Sequence, residues 1–202
     1  MAKDFYALPF NDRADLTPYL IHLTRAGGKR NALENLKNIL RTGKIFGSSR
    51  EKGFIKGKRN AACLMDVPFA SLKHICSSDN KERYEPYGVV VSKEFAYETG
   101  ARPVLYLSND ECKALNVPPS ELWRVVRFEV DSTSGKWISW LHEREWRCPD
   151  ELSLPSRLRA VLVKSSKDAL KLQAALSDGS EDFACRPSSI IPLEIVCQGL
   201  IY

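Results

Sequence analysis

The 202-residue chain lacks the spacings by which a metal or nucleotide site usually shows itself. Its six cysteines, Cys63, Cys76, Cys112, Cys148, Cys185 and Cys197, form no Cys-x-x-Cys pair, and its three histidines lie far apart. Zinc-site spacing is therefore absent, no metal ligand is assigned, and reduced, scattered thiols are the expected state. The longest apolar runs, such as Gly88-Val89-Val90-Val91, fall far short of the roughly 20 residues that cross a bilayer, so no membrane partner is expected. Met1 to Phe10 lacks the basic-then-apolar pattern of a signal peptide, and the chain reads as cytoplasmic. There is no Walker phosphate loop, no Gly-x-Gly-x-x-Gly and no Gly-x-Ser-x-Gly elbow, which removes the nucleotide and hydrolase signatures with the clearest spacing. No repeat, low-complexity tract or shift in composition marks a second domain.

What is present is an ordinary globular composition, with 44% apolar and 27% charged residues. The length suffices for a real core, and the expectation is a single domain over 1–202, with 1–18 an irregular N-terminal arm. Tyr19 to Thr24 reads as a first strand, followed by a helix capped by Asn31, with Leu33, Leu36, Ile39 and Leu40 on one face and Gly43 at its end. Ile45 to Asn60 reads as a loop. Ala61 to Val67 reads as a strand, with Pro68 at the first position of a short helix. Tyr87 to Ser92, Pro103 to Ser108, Glu121 to Val130, Leu158 to Val163 and Ile190 to Val196 read as further strands. Asn109 and either Ser165 or Ser166 are candidate helix caps, and Leu152 to Arg157 reads as a loop. Short strands and short helices without regular βαβ alternation favour an α+β fold.

The formal charge of +5 is a mild bias toward an anionic partner. The positive residues cluster at Lys52, Lys56, Lys58 and Arg59, and again at Arg124, Arg127, Lys136, Arg144 and Arg147.

The stretch from Trp137 to Cys148 is the chemical centre of the sequence, above all His142-Glu143-Arg144-Glu145-Trp146-Arg147. In an extended strand alternate side chains share a face, so Trp146 would anchor one side while Glu143, Glu145 and Arg147 present charge on the other. A carboxylate held among arginines suits a group that hydrogen-bonds a hydroxyl or takes a proton from a nucleophile. A solvated, salt-bridged strand edge is the plain alternative. His22 and Thr24 are two apart on the first strand and share a face, bringing imidazole and hydroxyl together in an apolar setting; a satisfied core pair is the alternative. Arg59, before the strand Ala61 to Val67, could clamp a phosphate through its fork, or simply be a solvated arginine. Tyr87 to Glu94 is a strand-to-helix corner that could border a ligand.

Taken in order, these pieces resemble the DarT-like branch of the ADP-ribosyltransferases. They are His22-x-Thr24, a helix with Asn35-Leu36 and Ile39-Leu40, then Gly43, Arg59, Asp66-Val67-Pro68-Phe69, and Glu145 before an aromatic and Pro149. Tyr87 to Leu107 and the Glu-Arg-Glu-Trp-Arg run also look like abortive-infection proteins of the AbiGi type. The resemblance covers roughly Tyr19 to Pro149. It implies a split β-sheet core flanked by short helices, NAD as co-substrate, and transfer of ADP-ribose to a macromolecular acceptor in a toxin or phage-defence setting. An antitoxin or phage component would be a possible partner. By the same resemblance His22, Thr24, Asn35 and Arg59 bind NAD, and Glu145 is catalytic together with Arg59. Lys52, Lys56, Lys58 and Arg147 are the candidates for contact with a nucleic-acid acceptor. Three features depart from the family pattern: residues Ala26 to Arg30 look inserted, no aromatic target-reading motif follows Phe69, and Glu143 offers a second carboxylate. Two other readings stay open, a nuclease-type enzyme built on His22, Arg59 and Glu145, and a catalytically inactive binding module.

Overall fold

The computed structural model describes residues 13–49, 55–80 and 82–199; most of the expected N-terminal arm and Lys52 lie outside them. In chain order the strands are β1 (Tyr19–Thr24), β2 (Lys44–Phe46), β3 (Ala61–Met65), β4 (Tyr87–Ser92), β5 (Arg102–Pro103), β6 (Leu105–Leu107), β7 (Val125–Arg127), β8 (Glu129–Val130), β9 (Trp137–Ile138) and β10 (Glu145–Pro149). They continue with β11 (Glu151–Ser153), β12 (Arg157–Leu158), β13 (Ala160–Val163), β14 (Arg186–Pro187) and β15 (Ile190–Pro192). The helices are α1 (Ala32–Thr42), α2 (Leu72–Ile75), α3 (Lys93–Glu98), α4 (Asn109–Ala114), α5 (Ser166–Ser177) and α6 (Leu193–Val196). This is the expected α+β class: mostly antiparallel strands flanked by short helices.

Two compact units are present, and each is assembled from separated stretches of chain. The first comprises residues 1–44, 67–94 and 153–202; the second comprises 45–66 and 95–152.

In the first unit the strand order is β15-β13-β4-β1, with β13 antiparallel to β4 and parallel to β15. β1 runs antiparallel to β4, with His22 opposite Val89 and Thr24 opposite Tyr87. The buried side chains Leu20, Ile21, Val89, Val91 and Leu162 are the apolar runs seen in the sequence. Gly88 is needed here, because a Cβ would collide with the His22 carbonyl oxygen. Helix α1 starts where Asn31 Oδ1 accepts the Glu34 N–H at 2.9 Å, and ends where Gly43, at φ 65°, donates its N–H to Ile39. Its buried face is Ala32, Leu36, Ile39 and Leu40; Ala32 takes the place expected for Leu33, one residue round the helix. Ser165 caps α5 and binds Asp168, whose carboxylate also accepts the Tyr87 hydroxyl at 3.0 Å and so ties α5 to β4. Pro68 precedes a 3-10 turn, Phe69–Ser71, so α2 begins later than the sequence implied.

In the second unit β10 lies between β3 and β5, antiparallel to both. The register pairs Glu145 with Met65, Arg147 with Cys63 and Pro149 with Ala61. Several expectations change here. Glu121 to Val130 is not one strand: Pro119–Arg124 is a 3-10 helix, and only from Val125 do β7 and β8 follow. A proline at the first helical position favours that turn, and the β-branched residues begin only at Val125. Ser108, not Asn109, caps α4, forming a reciprocal capping box with Glu111. Ile55, expected in a loop, is fully buried against Ala61 and Trp123.

Candidate active site

The stretch from Trp137 to Cys148 is not continuously extended. After β9, Leu141–Glu143 forms a 3-10 turn, and Arg144 adopts the left-handed conformation at φ 44°. This reverses the chain, so Glu143 and Glu145 do not share a face by strand alternation as the sequence suggested. Arg144 is held by donating Nε–H to the Asp66 carbonyl at 2.7 Å, while the Asp66 N–H donates to the Glu143 carbonyl at 3.1 Å.

β10 begins at Glu145, which is fixed through its main chain on both sides. Its N–H donates to the Tyr106 hydroxyl at 2.9 Å, and its carbonyl accepts the Val104 N–H at 3.1 Å. The same Tyr106 hydroxyl donates to the Trp140 carbonyl at 3.3 Å, so one phenol joins the turn before Arg144 to the strand after it. Burial pushes this phenol up to about 12.

Glu145 and Arg147 do share a face, but it is the inner one: they are only 7% and 3% exposed, while Trp146 is half-buried. The guanidinium grips the carboxylate as a fork, Nε to Oε1 at 2.8 Å and Nη2 to Oε2 at 3.3 Å. Its Nη1 donates to the Trp123 carbonyl at 2.8 Å, at the end of the 3-10 helix. Burial works against the Arg147 charge, but attraction and hydrogen bonding to Glu145 and Cys63 together outweigh it and its pKa rises. Cys63, opposite Arg147 on β3, completes the group. Burial and the neighbouring Glu145 push its thiol up, which makes it a neutral hydrogen-bonding group and not a nucleophile. Arg147 was expected to contact nucleic acid. That role does not fit a buried guanidinium whose donors already face Glu145 and Trp123.

Glu143 is also buried, at 6% exposure, with Oε1 3.8 Å from Nε2 of the exposed His142.

Arg59 lies in the same unit as Glu145 but not beside it. It precedes Ala61, which pairs with Pro149, whereas Glu145 pairs with Met65 at the far end of the ladder. Four residues of strand separate the two ends by roughly 13 Å. Arg59 is exposed and ion-paired to Asp150, with Nη2 to Oδ2 at 2.5 Å. That hydrogen bond raises the Arg59 pKa and lowers that of Asp150. The catalytic role expected for Arg59 does not fit this distance from Glu145.

In the first unit His22 and Thr24 are half-buried on the same face of β1. Asn35, in the first turns of α1, donates Nδ2–H to the Arg25 carbonyl at 2.6 Å, so it fixes the chain just after Thr24. The segment that looked inserted is a tight turn: Gly27 and Arg30 exchange main-chain hydrogen bonds of 3.0 and 3.2 Å around Gly28 at φ 63°. Two tethers hold its start, from Arg25 to the Glu82 carbonyl and from the Ala26 N–H to Glu85 at 2.7 Å.

No protein-family model matches the chain, and no curated protein matches it in sequence. Solved structures of DarT from Thermus sp. 2.9 are similar at 15% identity, over 92% of this chain. They are complexes with carba-NAD+ and with NAD+, each matched over 98% of its length at a TM-score of 0.48. A third, with ADP-ribosylated ssDNA, is matched over 96% of its length at a TM-score of 0.50. The chain has the DarT fold.

On this DarT fold the remaining basic candidates are Lys58, which is exposed, and Lys56, whose Nζ donates to Asn109 Oδ1 at 2.8 Å. Among the described residues no group of three or more His, Cys, Asp or Glu could hold a metal ion, and no helix is long and apolar enough to cross a membrane. Sequence reasoning missed Tyr106, Cys63 and the Trp123 carbonyl. Only the strand register, which brings Cys63 opposite Arg147, could have found one of them in advance.

Proposed function

We propose that this protein is an NAD-dependent ADP-ribosyltransferase that modifies nucleic acid, with Glu145 as its catalytic carboxylate. The observation that carries this reading is Glu145 itself, a buried carboxylate fixed through its main chain by Tyr106 and Val104 and through its side chain by Arg147. The fold it shares with DarT supports the same reading, since DarT has been solved with NAD+ and with ADP-ribosylated ssDNA.

NAD supplies a ribose whose bond to nicotinamide can be exchanged for a bond to the acceptor. Glu145 accepts a hydrogen bond from a ribose hydroxyl, stabilising the positive charge that develops on the sugar in the transition state. It can also take the proton from the incoming nucleophile. The donor sets fit this co-substrate: His22 and Thr24 offer an imidazole and a hydroxyl for ribose groups, and Asn35 holds the chain that follows them. Arg59 offers a fork for phosphate once it releases Asp150. Lys56 and Lys58 are the acceptor contacts among the described residues, and Lys52 extends the same run of sequence. None of the six cysteines is joined in a disulfide, and a cytoplasmic setting is part of the same reading. A toxin or phage-defence role follows from the resemblance drawn on the sequence.

Incubation with labelled NAD and single-stranded oligonucleotides tests the proposal. Label should pass to the nucleic acid, and Glu145→Gln should lower the rate by about two to four orders of magnitude with NAD affinity little changed. Glu143→Gln should matter less. Full activity in Glu145→Gln, or cleavage of nucleic acid without NAD, would refute the assignment.

A further inference from the structure

We propose that Arg147 is the positioning residue of this site: it sets the orientation of Glu145 without touching substrate. The inference rests on the reading of Glu145 as the transferase carboxylate. Three observations point to it.

First, the contact is a fork and not a single point, with both carboxylate oxygens engaged at 2.8 and 3.3 Å, so the plane of the carboxylate is fixed as well as its position. Second, the guanidinium is anchored at its other end. Nη1 donates to the Trp123 carbonyl, which belongs to a different element, so Arg147 cannot follow Glu145 if the glutamate turns. Third, the pair is buried, with side-chain exposures of 4% and 8%, so water neither screens the attraction nor offers competing donors. A carboxylate has about four lone-pair sites. The fork takes two and the Cys63 thiol hydrogen-bonds the same carboxylate, which leaves one for a ribose hydroxyl in a direction that Arg147 has fixed. A misplacement of about 1 Å in such a group can cost about a hundredfold in rate.

The charged and titratable groups facing Glu145 are Arg147 on its own strand, Cys63 on β3, Tyr106 on β6 and Glu143 in the preceding turn. Arg147 is the cation among them.

The test uses Arg147→Lys and Arg147→Met in the full chain, with labelled NAD and a single-stranded oligonucleotide. Lysine keeps the charge but cannot reach both the carboxylate and the Trp123 carbonyl. It should lower kcat by about a hundredfold with KM for NAD little changed. Methionine removes the fork altogether and should lower kcat at least as far, again with KM for NAD little changed, a split that a purely structural role would not produce. Should methionine prevent folding, the lysine variant decides. Should neither fold, the wild-type protein does: the Arg147 Nε–H resonance should exchange slowly and shift in Glu145→Gln. Wild-type kcat in folded Arg147→Lys or in folded Arg147→Met, or an unshifted Nε–H resonance, overturns the inference. If Glu145→Gln is itself fully active, the functional reading fails instead, and the two failures are distinguishable.

Discussion

Replacing Glu145 and Arg147, singly and together, tests the central ion pair without reference to activity. Glu145→Leu leaves the Arg147 guanidinium buried without its anion; Arg147→Met leaves the Glu145 carboxylate buried without its cation. Each loss should cost about 3–5 kcal/mol, the usual result of breaking a buried pair from one side. Arg147→Met also strips a donor from the Trp123 carbonyl, which adds about 1–3 kcal/mol where no water replaces it. The double variant buries two apolar side chains where two charges were, and should be far more stable than the sum of the single losses predicts. A coupling of several kcal/mol is therefore expected from the double-mutant cycle. Urea unfolding followed by circular dichroism provides the measurement, compared at constant m. Losses that add to within about 0.5 kcal/mol would mean that the two groups do not interact, and the geometry described here would be wrong.

Three further outcomes follow from the first unit. Gly88→Ala drives a methyl group into the His22 carbonyl and should cost about 1–3 kcal/mol, as overpacking does; an unchanged urea midpoint would rule out the register of β1 on β4. Asn31→Ala removes the cap of α1 and should cost about 1 kcal/mol by the same assay, whereas no loss would mean that the cap is not formed. Asp168 is lowered from its ordinary 3.8: burial opposes this, but hydrogen bonds from Ser165, Lys171 and Tyr87 prevail. Its contribution is thus complete above about pH 4 and is lost as pH falls through the folded value. Asp168→Asn should flatten acid unfolding in that range, and an unchanged acid limb would contradict the assignment.

The parts of the fold legible in the sequence were those with strong local signals. β13 is an uninterrupted apolar run, β1 and β4 are apolar but for His22, Thr24 and Ser92, and α1 announces itself with Asn31 at one end and Gly43 at the other. The break at Arg144 was not legible, because arginine carries no signal for the left-handed conformation it adopts there; its side-chain Nε–H bond to the Asp66 carbonyl and its main-chain N–H bond to the Leu141 carbonyl hold it. The two-residue period correctly put Glu145 and Arg147 on one face. It could not say that this face is the inner one, since the group that satisfies Arg147 is a main-chain carbonyl more than twenty residues away. Arg59 failed for a related reason: its place before β3 was clear, but its distance from Glu145 depends on the β3–β10 register.

The partner of Arg59 gives this surface a selectivity of its own. Asp150 is a non-glycine residue at φ 63°, a conformation to which glycine is better suited, and its main chain is pinned by Asn60 and Gly47. Its backbone keeps it beside Arg59, so on the proposed role a phosphate would compete with an internal rival for the guanidinium. Solvent screens an exposed pair of this kind, so the handicap it sets is slight. A ligand with further contacts elsewhere absorbs that handicap easily, whereas free phosphate has nothing to offset it. On the phosphate role proposed for Arg59, the ion pair would bias this surface against small inorganic anions, and glycine at position 150, though easier on the backbone, would remove that bias.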